Sequence, residues 1–353
     1  MKTSTSKRLR WNVAIWLAAG LFMTSTAGMA SGPIMPDPKA EARHQPQVEE
    51  TANGIPLVNI TAPSSGGVSR NEYETFNVPD KGAILNNSYT LSKTELAGYV
   101  QGNNNMAERP AKIIVNEVTG AGPTSMDGFL EVAGNRADVV IANPNGITVN
   151  GGGFINTGKA FLTTGKPVYD GEDHLQRFDI TGGDILIEGK GLGGKETESL
   201  AILSRAVKIN AGIWAKDLHI TTGANTVDAK TLEASAIEGK GGRPAFALDT
   251  AAIGGMYAGR ITLVGTEKGL GVNNSGAWSA EDNLTLDWNG DLKNSGTIYS
   301  KGNTDIRANC LENDKTIAAG KDITASADGH VTNTGTMGAG INEIGKLTET
   351  GTL

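Results

Sequence analysis

A three-residue step recurs four times toward the C-terminus of the sequence, as Asn274-Ser275-Gly276, Asn294-Ser295-Gly296, Asn313-Asp314-Lys315 and Asn333-Thr334-Gly335. The asparagines are 20, 19 and 20 residues apart, and short segments of alternating apolar and polar residues lie between them. A period near 20 residues is typical of one coil of a solenoid and is too short for a repeat built from a pair of helices. The segments lack the 3.6-residue apolar stripe of an amphipathic helix, so they are predicted to be strands.

This repeat predicts an all-β chain in the form of a right-handed parallel β-helix, a solenoid with about 20 residues per coil. The recurring asparagines are expected to stack at one corner, where hydrogen bonds between their side chains would form a ladder that fixes the turn. Ligand binding by these asparagines is the less favoured alternative. Upstream the repeat is irregular. A hairpin outside the coils is predicted over 178–187, around Gly182-Gly183, and one helical turn over 93–99.

The composition fits a thin, turn-rich fold. The 353 residues include 48 glycines, and aromatic residues make up only 5% of the chain. These proportions indicate many tight turns rather than a thick globular core. The net charge of −7 argues against nucleic acid or anionic lipid as a partner. The single cysteine, Cys310, excludes a disulfide within the chain.

Residues 1–30 have the composition of a secretory signal peptide. Four Lys and Arg residues precede an apolar stretch over 11–23, which is too short for a comfortable membrane-spanning helix. Gly28-Met29-Ala30 then offers small residues for cleavage after Ala30. The alternative is an N-terminal membrane anchor. Cleavage would place the mature chain outside the cytoplasm.

The rest of the chain divides into three predicted parts. Residues 31–52 are predicted to be a linker, because four prolines lie among charged and small residues without periodicity. An irregular β-helix is predicted over 53–270 and regular coils over 271–353. The sequence shows no capping helix at the C-terminus, and an uncapped solenoid would expose its last strands. We therefore expect the chain to be the front part of a longer, truncated rod.

One turn in the irregular part is distinctive, because it carries the motif Asn143-Pro144-Asn145-Gly146-Ile147 between two apolar segments. The stretch predicts a buried strand, a tight turn and a second strand. Pro144 presets φ at the first corner of the turn, and Asn145-Gly146 tolerates positive φ. The Asn143 side chain can hydrogen-bond to the backbone of its own turn.

This motif resembles one in the N-terminal secretion domain of two-partner secretion exoproteins, the filamentous haemagglutinin-like family. The resemblance extends over about 53–340 and is supported by Pro63 and by the segments 53–60, 67–71, 76–78, 113–118, 254–259, 265–267 and 269–272. There is one departure. Where the family has a second motif, Asn-Pro-Asn-Leu, this chain has Asn103-Asn104-Asn105-Met106, so that turn lacks a preorganising proline.

The resemblance implies a function in export rather than in catalysis. The Sec machinery would deliver the chain to the periplasm of a Gram-negative cell, where recognition domains of a partner outer-membrane transporter would bind it. The chain would then fold at the cell surface or in the medium. The motif at 143–147 is the candidate for transporter recognition or for fixing the turn, with 103–106 as a weaker second loop. The resemblance implies no cofactor, no metal and no catalytic residue.

Two biological roles fit such a domain. It could serve adhesion to a receptor on a host or neighbouring cell, as in the haemagglutinin-like exoproteins. It could also be the delivery end of a contact-dependent growth inhibition toxin that lacks its toxic C-terminus here. The sequence does not separate these two roles.

A β-helical carbohydrate enzyme is a third and remote reading. It would need carboxylates that converge on one face of neighbouring coils. Asp287, Asp305 and Asp322 follow one another at intervals of 18 and 17 residues, which are shorter than the asparagine repeat and do not favour close stacking. The segment 153–160 nearly spells a phosphate loop, but Ala160 stands where that loop needs Ser or Thr. The four histidines are scattered, and none is expected beside Cys310.

Overall fold

A computed structural model describes residues 32–106 and 109–340, which lie in one compact unit. The predicted signal peptide and residues 341–353 lie outside the described residues. The described part contains 36 strands and two short 3-10 helices, Ala42–His44 and Asn104–Met106. In it no helix is long and apolar enough to cross a membrane.

The strands are short and follow one another closely along the chain. The first eighteen are β1 (Ile34–Pro36), β2 (Gln47–Glu50), β3 (Pro56–Asn59), β4 (Val68–Phe76), β5 (Ala83–Asn87), β6 (Ser92–Thr94), β7 (Gly98–Val100), β8 (Ile113–Val118), β9 (Thr124–Met126), β10 (Phe129–Gly134), β11 (Ala137–Ala142), β12 (Ile147–Val149), β13 (Gly152–Ile155), β14 (Thr157–Thr163), β15 (Lys166–Tyr169), β16 (Leu175–Ile180), β17 (Asp184–Ile187) and β18 (Leu192–Gly194). The others are β19 (Ser199–Ser204), β20 (Ala206–Ile209), β21 (Gly212–Thr222), β22 (Asn225–Asp228), β23 (Ala234–Ala236), β24 (Phe246–Thr250), β25 (Gly255–Gly265), β26 (Gly271–Asn274), β27 (Ala277–Ala280), β28 (Leu284–Trp288), β29 (Leu292–Asn294), β30 (Thr297–Ser300), β31 (Thr304–Ala308), β32 (Leu311–Asn313), β33 (Thr316–Ala319), β34 (Ile323–Ala327), β35 (Val331–Asn333) and β36 (Thr336–Ala339).

Most strands stack in three parallel columns, which are the three faces of a β-helix. Face 1 consists of β3, β5, β10, β13, β18, the first part of β21 and of β25, and then β27, β30, β33 and β36. Face 2 consists of β4, β8, β11, β14, β19, the second part of β21 and of β25, and then β28, β31 and β34. Face 3 consists of β9, β12, β17, β20, β24, β26, β29, β32 and β35. The predicted parallel β-helix is therefore confirmed.

A hydrophobic core runs inside the coils along the axis. In β28 and β31 buried and exposed residues alternate, so every second side chain points inward. Trp278, Ile298 and Ile317 are register partners on successive coils, and all three are fully buried. Each added coil removes apolar area from water against the previous coil, at about 25 cal/mol per Å².

Upstream coils are longer than the regular ones because segments are inserted between their strands. Leu85 is aligned with Val132, and the antiparallel hairpin β6–β7 lies between them. Gly212 is aligned with Gly255, and β22 and β23 lie between them. Strands β15, β16, β22 and β23 together form a four-stranded antiparallel sheet outside the coils. The irregular spacing of the sequence before residue 271 therefore reflects insertions into a regular stack.

The inserted elements cover outward apolar side chains of two faces. The four-stranded sheet packs on face 2, where Phe178 and Val227 join Val140, Phe161 and Leu203 in a second buried cluster. The hairpin β6–β7 packs on face 1 over a third cluster, which consists of Ile55, Leu57, Ile84, Val100 and Ala133. Both covers lie over coils from the N-terminal part of the chain.

Two local predictions are wrong. Strand β16 ends at Ile180 and pairs with β15 and β22, whereas β17 belongs to face 3, so no hairpin forms over 178–187. Alternation of apolar residues is the same in a hairpin and in stacked coils, and it cannot tell which partner a strand has. Residues 93–99 form the hairpin β6–β7 rather than a helical turn, and Gly98 has a φ of +71° there.

The segment predicted to be a linker is instead folded onto the first coil. Strand β1 pairs antiparallel with β4, and β2 pairs antiparallel with β3. Ile34 is buried in the core, and His44 is buried as well. The prolines do not prevent this, because edge strands tolerate them. Strand β2 thus covers the edge of β3, the first strand of face 1. Strand β1 covers the edge of β4, the first strand of face 2, and both edges would otherwise be open.

The asparagine ladder is present as predicted. Asn274 Nδ2 donates to Asn294 Oδ1 at 2.8 Å, Asn294 Nδ2 donates to Asn313 Oδ1 at 2.7 Å, and Asn313 Nδ2 donates to Asn333 Oδ1 at 2.7 Å. The first three side chains are fully buried, while Asn333 is exposed. Each buried side-chain amide thus finds a hydrogen-bond partner in the next asparagine, and the ladder fixes the register of one corner.

A partly buried ion pair holds the inserted segment 223–245 against the coils. Arg205 Nε and Nη2 donate to the two carboxylate oxygens of Glu267 at 3.0 and 2.9 Å. Arg205 Nη1 also donates to the backbone oxygen of Lys240 at 2.8 Å, and Glu267 accepts the backbone N–H of Ala224. The hydrogen bond from Arg205 holds the pKa of Glu267 below its usual range.

We expect Asn294→Ala to lower the free energy of unfolding by about 2–4 kcal/mol. It removes the donor to the buried Asn313 amide oxygen and leaves Asn274 Nδ2 with only a longer bond to Thr297 O. Asn333→Ala should cost less than about 1 kcal/mol, because Asn333 is exposed and bonded on one side only. Urea unfolding of both variants measures the difference. Equal losses would show that burial of the ladder does not determine its contribution.

Acid should weaken the contact between Arg205 and Glu267. Since the pKa of Glu267 is lower in the folded than in the unfolded chain, its stabilisation is present above the unfolded pKa of about 4.3 and is lost as the pH falls through the folded pKa. Glu267→Gln should therefore lower the free energy of unfolding at pH 7. It should also make this free energy fall less steeply as the pH drops below about 4.3. Thermal unfolding from pH 3 to 7 tests this, with Glu312→Gln, which removes an exposed ion pair to Lys293, as the control. A steeper acid dependence in Glu267→Gln would contradict it.

Candidate functional site

The motif at 143–147 forms the corner between β11 on face 2 and β12 on face 3. Gly146 N donates to Asn143 O at 3.1 Å, which closes a tight turn, and Gly146 has a φ of +110°. A side chain at position 146 would come within 3.0 Å of the backbone oxygen of Asp184 on the next coil. Ile147 is buried in the core and begins β12. Glycine is therefore required both by the backbone conformation and by the close approach of the next coil.

The two asparagine side chains of this turn are directed toward the protein. Asn143 is fully buried, and its Nδ2 donates to Gly122 O and Thr124 Oγ1, both at 3.0 Å, on the preceding coil. Asn143 Oδ1 accepts the backbone N–H of Asn145 at 2.9 Å. Asn145 Nδ2 donates to Gly120 O at 2.8 Å, although Asn145 itself is exposed. The turn is thus fastened to the coil before it.

The second loop, Asn103–Met106, adopts the same hydrogen-bond scheme without the proline. Asn103 is buried, its Nδ2 donates to Ile60 O at 2.8 Å, and its Oδ1 accepts the backbone N–H of Asn105 at 2.9 Å. Asn105 Nδ2 also donates to Ile60 O, and Met106 N donates to Asn103 O. Met106 is buried in the core, while Asn104 is exposed. The hydrogen bonds that attach this loop to the preceding coil therefore come from its first and third asparagines, Asn103 and Asn105.

The two loops lie at different corners of neighbouring coils. The loop at 103–106 precedes β8 on face 2, and the motif at 143–147 follows β11 on the next coil. Pro144 and Asn104 occupy the same place in the two turns, and both are exposed. The exposed atoms that the turns offer to a partner are therefore mainly those at positions 104, 144 and 145.

A charged cluster beside these loops was not predicted from the sequence. Arg70 Nη2 lies 2.8 Å from Glu72 Oε1 and 3.4 Å from Glu117 Oε2, and the Arg70 guanidinium lies 4.4 Å from the ring centre of Tyr169. His44 Nδ1 is 3.1 Å from Glu72 Oε1. Burial raises the pKa of Glu117, and the charge of Arg70 opposes this effect. The cluster ties the N-terminal segment and β15 to face 2.

The sequence signal for this cluster was incomplete. Arg70 and Glu117 lie in segments that support the family resemblance, but nothing in the sequence pairs them with Tyr169 of the inserted sheet. A prediction would have required the knowledge that β15 packs over face 2.

The histidines are distributed largely as predicted, with one exception. His219 lies on face 2 between the inward residues Leu218 and Ile220, and burial lowers its pKa to about 4. The expectation that no histidine lies beside Cys310 is wrong, because His330 Nδ1 is 3.4 Å from Cys310 Sγ. Residues 20 apart occupy equivalent positions on adjacent coils. Among residues 32–106 and 109–340, no three His, Cys, Asp or Glu side chains come together as metal ligands.

The carboxylates considered for an enzyme do not form a column. Asp287 is aligned with Arg307, and their side chains approach to 3.6 Å, whereas Asp305 is aligned with Thr285 and Thr324. The segment that resembles a phosphate loop lies in strands β13 and β14 and opens no helix. Neither arrangement matches the catalytic or nucleotide site that it was compared with.

The fold and motifs agree with comparisons to known proteins. A family model described as the TPS secretion domain matches residues 33–299. The chain belongs to the TPS secretion domain family. Such domains are parts of two-partner secretion exoproteins, which are secreted or cell-surface proteins of Gram-negative bacteria and are exported with a partner outer-membrane transporter. This family is not an enzyme family.

Curated relatives of this TPS domain are much longer proteins. The "16S rRNA endonuclease CdiA" of Enterobacter cloacae subsp. cloacae is 42% identical over 329 residues, which are 92% of this chain and 10% of the relative. The "Toxin CdiA" of Yersinia pestis is 42% identical over 298 residues, which are 78% of this chain and 9% of the relative. The chain thus spans about a tenth of the length of these relatives.

A solved structure matches the fold of this TPS domain. The crystal structure of the filamentous hemagglutinin secretion domain is 30% identical in sequence, with a TM-score of 0.68. It covers 87% of this chain, and the match includes 100% of the solved chain. The resemblance of this chain to the haemagglutinin-like family is thereby confirmed.

Asn143→Ala should destabilise the TPS domain more than Asn145→Ala. We expect a loss of about 2–4 kcal/mol for Asn143→Ala, because buried partners on the preceding coil lose their hydrogen bonds, and about 1 kcal/mol or less for Asn145→Ala. Urea unfolding of the purified variants provides the measurement, and Asn104→Ala, which changes an exposed side chain, serves as the control. If Asn145→Ala proved the more damaging change, the hydrogen bonds of Asn143 would not be what holds this corner.

Proposed function

We propose that this chain is the secretion domain by which an exoprotein is recognised in the periplasm and passed through its outer-membrane partner. The signal peptide at 1–30 directs the chain to the Sec machinery, and periplasmic recognition domains of the transporter bind the chain before it folds. The β-helix then forms outside the cell, coil by coil. Each new coil buries apolar area and a strand edge, which favours movement outward without ATP at the outer membrane.

The observation that carries this proposal is the match of the TPS secretion domain model to residues 33–299. The roles of the two turns are inferred from one hydrogen-bond scheme that recurs in turns of different sequence. In both turns the first asparagine is buried and bonded to the preceding coil, and the third donates to that coil as well. We therefore assign the motif at 143–147 and the loop at 103–106 mainly to fixing the corners during folding. Before folding, Pro144 and Asn145 are the residues we assign to contact with the transporter, because neither becomes buried when the corner forms.

We propose that this domain exports a longer protein of which it is a part. We assign the secretion function to 53–270 and the start of a rod to 271–353. Adhesion to a host or neighbouring cell is the first role we propose for the whole exoprotein. Delivery of a contact-dependent growth inhibition toxin is the second, and it is supported by two relatives at 42% identity whose names describe a toxin and a 16S rRNA endonuclease.

Export should depend on the partner transporter. The full chain is expressed with and without the outer-membrane protein encoded beside it, and the medium is compared with the periplasm. We expect the chain in the medium only when the partner is present. Arrival in the medium without the partner, or a folded chain that stays in the periplasm in both strains, would refute the proposal.

Variants separate recognition from folding. Asn145→Ala and Pro144→Ala should reduce export several-fold while the stability of the purified protein changes by no more than about 1 kcal/mol. Asn294→Ala, which destabilises a corner far along the chain, serves as the stability control and should be exported. If Asn294→Ala and Asn145→Ala were blocked equally, general stability rather than the turn at 143–147 would govern export.

A further inference from the structure

A line of aromatic and glycine residues runs along the outward side of face 1. Register aligns Phe129 with Gly153, Gly153 with Gly193, Gly193 with Trp214, and Trp214 with Tyr257. Phe129 and Tyr257 are 44% and 39% exposed, and Trp214 is half-buried. Neighbouring strands are about 4.8 Å apart, so this line extends for about 20 Å along the axis.

The aromatic rings lie across the glycines rather than standing away from the sheet. A Cβ atom at Gly212 would lie 2.5 Å from two ring atoms of Trp214, and one at Gly255 would lie 2.7 Å from the hydroxyl of Tyr257. The rings of Trp214 and Tyr257 are inclined by only 18°, with centres 6.2 Å apart. These two residues therefore form a nearly flat aromatic surface on a glycine floor, and we call this surface the platform.

A cleft lies at each end of the platform. The first, of about 320 Å³, lies between Phe129 and Trp214, with Gly193 as part of its floor and Lys195 and Glu196 at its side. The second, of about 360 Å³, begins at Tyr257 and is lined by the hydroxyl-bearing Ser275, Ser295 and Thr297 together with backbone of glycine residues. The platform and the clefts thus form one open groove that combines flat aromatic rings with hydrogen-bonding groups.

This groove stays uncovered, unlike the outward apolar surfaces near Ile84 on face 1 and Phe161 on face 2. The hairpin β6–β7 covers face 1 near Ile84, and the four-stranded sheet covers face 2 near Phe161. Neither insertion reaches the platform. The aromatic residues are exposed on a chain in which only 5% of residues are aromatic.

The charges and shape of the groove indicate which class of ligand it can bind. Its clefts carry two lysines and one glutamate, and the whole chain has a net charge of −7, which disfavours nucleic acid and anionic lipid. A pyranose ring has one face of C–H groups, which packs on the face of an aromatic ring, and hydroxyls around its rim, which need hydrogen-bond partners. Ser275 Oγ and Ser295 Oγ lie 3.1 Å apart and bond to each other, and each keeps acceptor capacity that a sugar hydroxyl can use and an unbranched apolar partner cannot.

We propose that this groove binds an extended neutral glycan, with one sugar on the Trp214–Tyr257 platform and further sugars in the two clefts. The binding is independent of the export function, since it belongs to the folded domain and involves none of the residues at 103–106 or 143–147. It would provide the exported domain with a surface for polysaccharide.

The test uses the purified mature chain and a panel of neutral polysaccharides, namely β-1,3-glucan, β-1,4-glucan, galactan, mannan and xylan. Retardation in gels that contain each polysaccharide is measured together with tryptophan emission. Trp278 and Trp288 are buried, so a bound sugar is expected to change the emission of Trp214. We expect saturable retardation and a shift in emission with at least one member of the panel. Absence of both effects for the whole panel would overturn the proposal.

Variants locate the binding. Trp214→Ala and Tyr257→Ala should each weaken retardation at least tenfold. Gly193→Gln should also weaken it, because a side chain there enters the cleft beside Phe129 while its Cβ meets no atom closer than 3.8 Å. Phe246→Ala, which removes a similarly exposed aromatic ring from face 3, should bind as the unchanged protein does. Thermal unfolding confirms that the variants are folded.

Two further results would contradict the proposal. One is an equal loss of retardation in Phe246→Ala and Trp214→Ala, because the effect would then not belong to the groove. The other is a shift of Trp214 emission by neutral phosphatidylcholine vesicles when no polysaccharide causes one, because the groove would then bind lipid.

Discussion

The fold depends on the requirement that each coil stack on the preceding one in register. All three faces are built from parallel strands, so a shift by one residue would turn inward side chains outward along a whole face. Buried asparagines fix this register at the corners through hydrogen bonds to the neighbouring coil. Asn143 donates to the Gly122 carbonyl, Asn103 to the Ile60 carbonyl, and Asn274 to the next asparagine of the ladder. A short amide at a corner thus adds a directional constraint to the hydrophobic packing inside the coils.

The same requirement explains where the chain can vary. Only the strand positions must repeat, so the corners can accommodate inserted segments of different length without disturbing the stack. The hairpin β6–β7 and the four-stranded sheet arise in this way, and they cover outward apolar residues of faces 1 and 2. Strands β1 and β2 cover the edges at the start of the helix. Face 1 beyond the hairpin has no such cover in the described part, and its aromatic residues therefore meet solvent.

A stack in which each coil contacts mainly its neighbours can form progressively from one end, which suits a chain that emerges from a transporter. The early coils carry the two asparagine turns and also the charged cluster around Arg70. This cluster binds the N-terminal segment and β15 to face 2. The corners at 103–106 and 143–147 and the groove on face 1 use different residues, so the proposed transporter recognition and the proposed glycan binding can vary independently. This separation is consistent with a domain that serves longer proteins of different activity.

The sequence by itself determined the elements that depend on local order. The 20-residue period, the ladder beginning at Asn274, and the turn at Asn143 all follow from residue types at fixed spacing, and the structure has each of them. The tertiary structure alone decided which strands pair over long distances. The folding of residues 31–52 onto the first coil and the assignment of Phe178 to an inserted sheet could not be read from alternation or composition. The meeting of Cys310 with His330 differs, because the two residues are 20 apart and the repeat already implied their contact. The physical reason is that a strand has the same local pattern whatever its partner, whereas the partner is chosen by the coil on which it stacks.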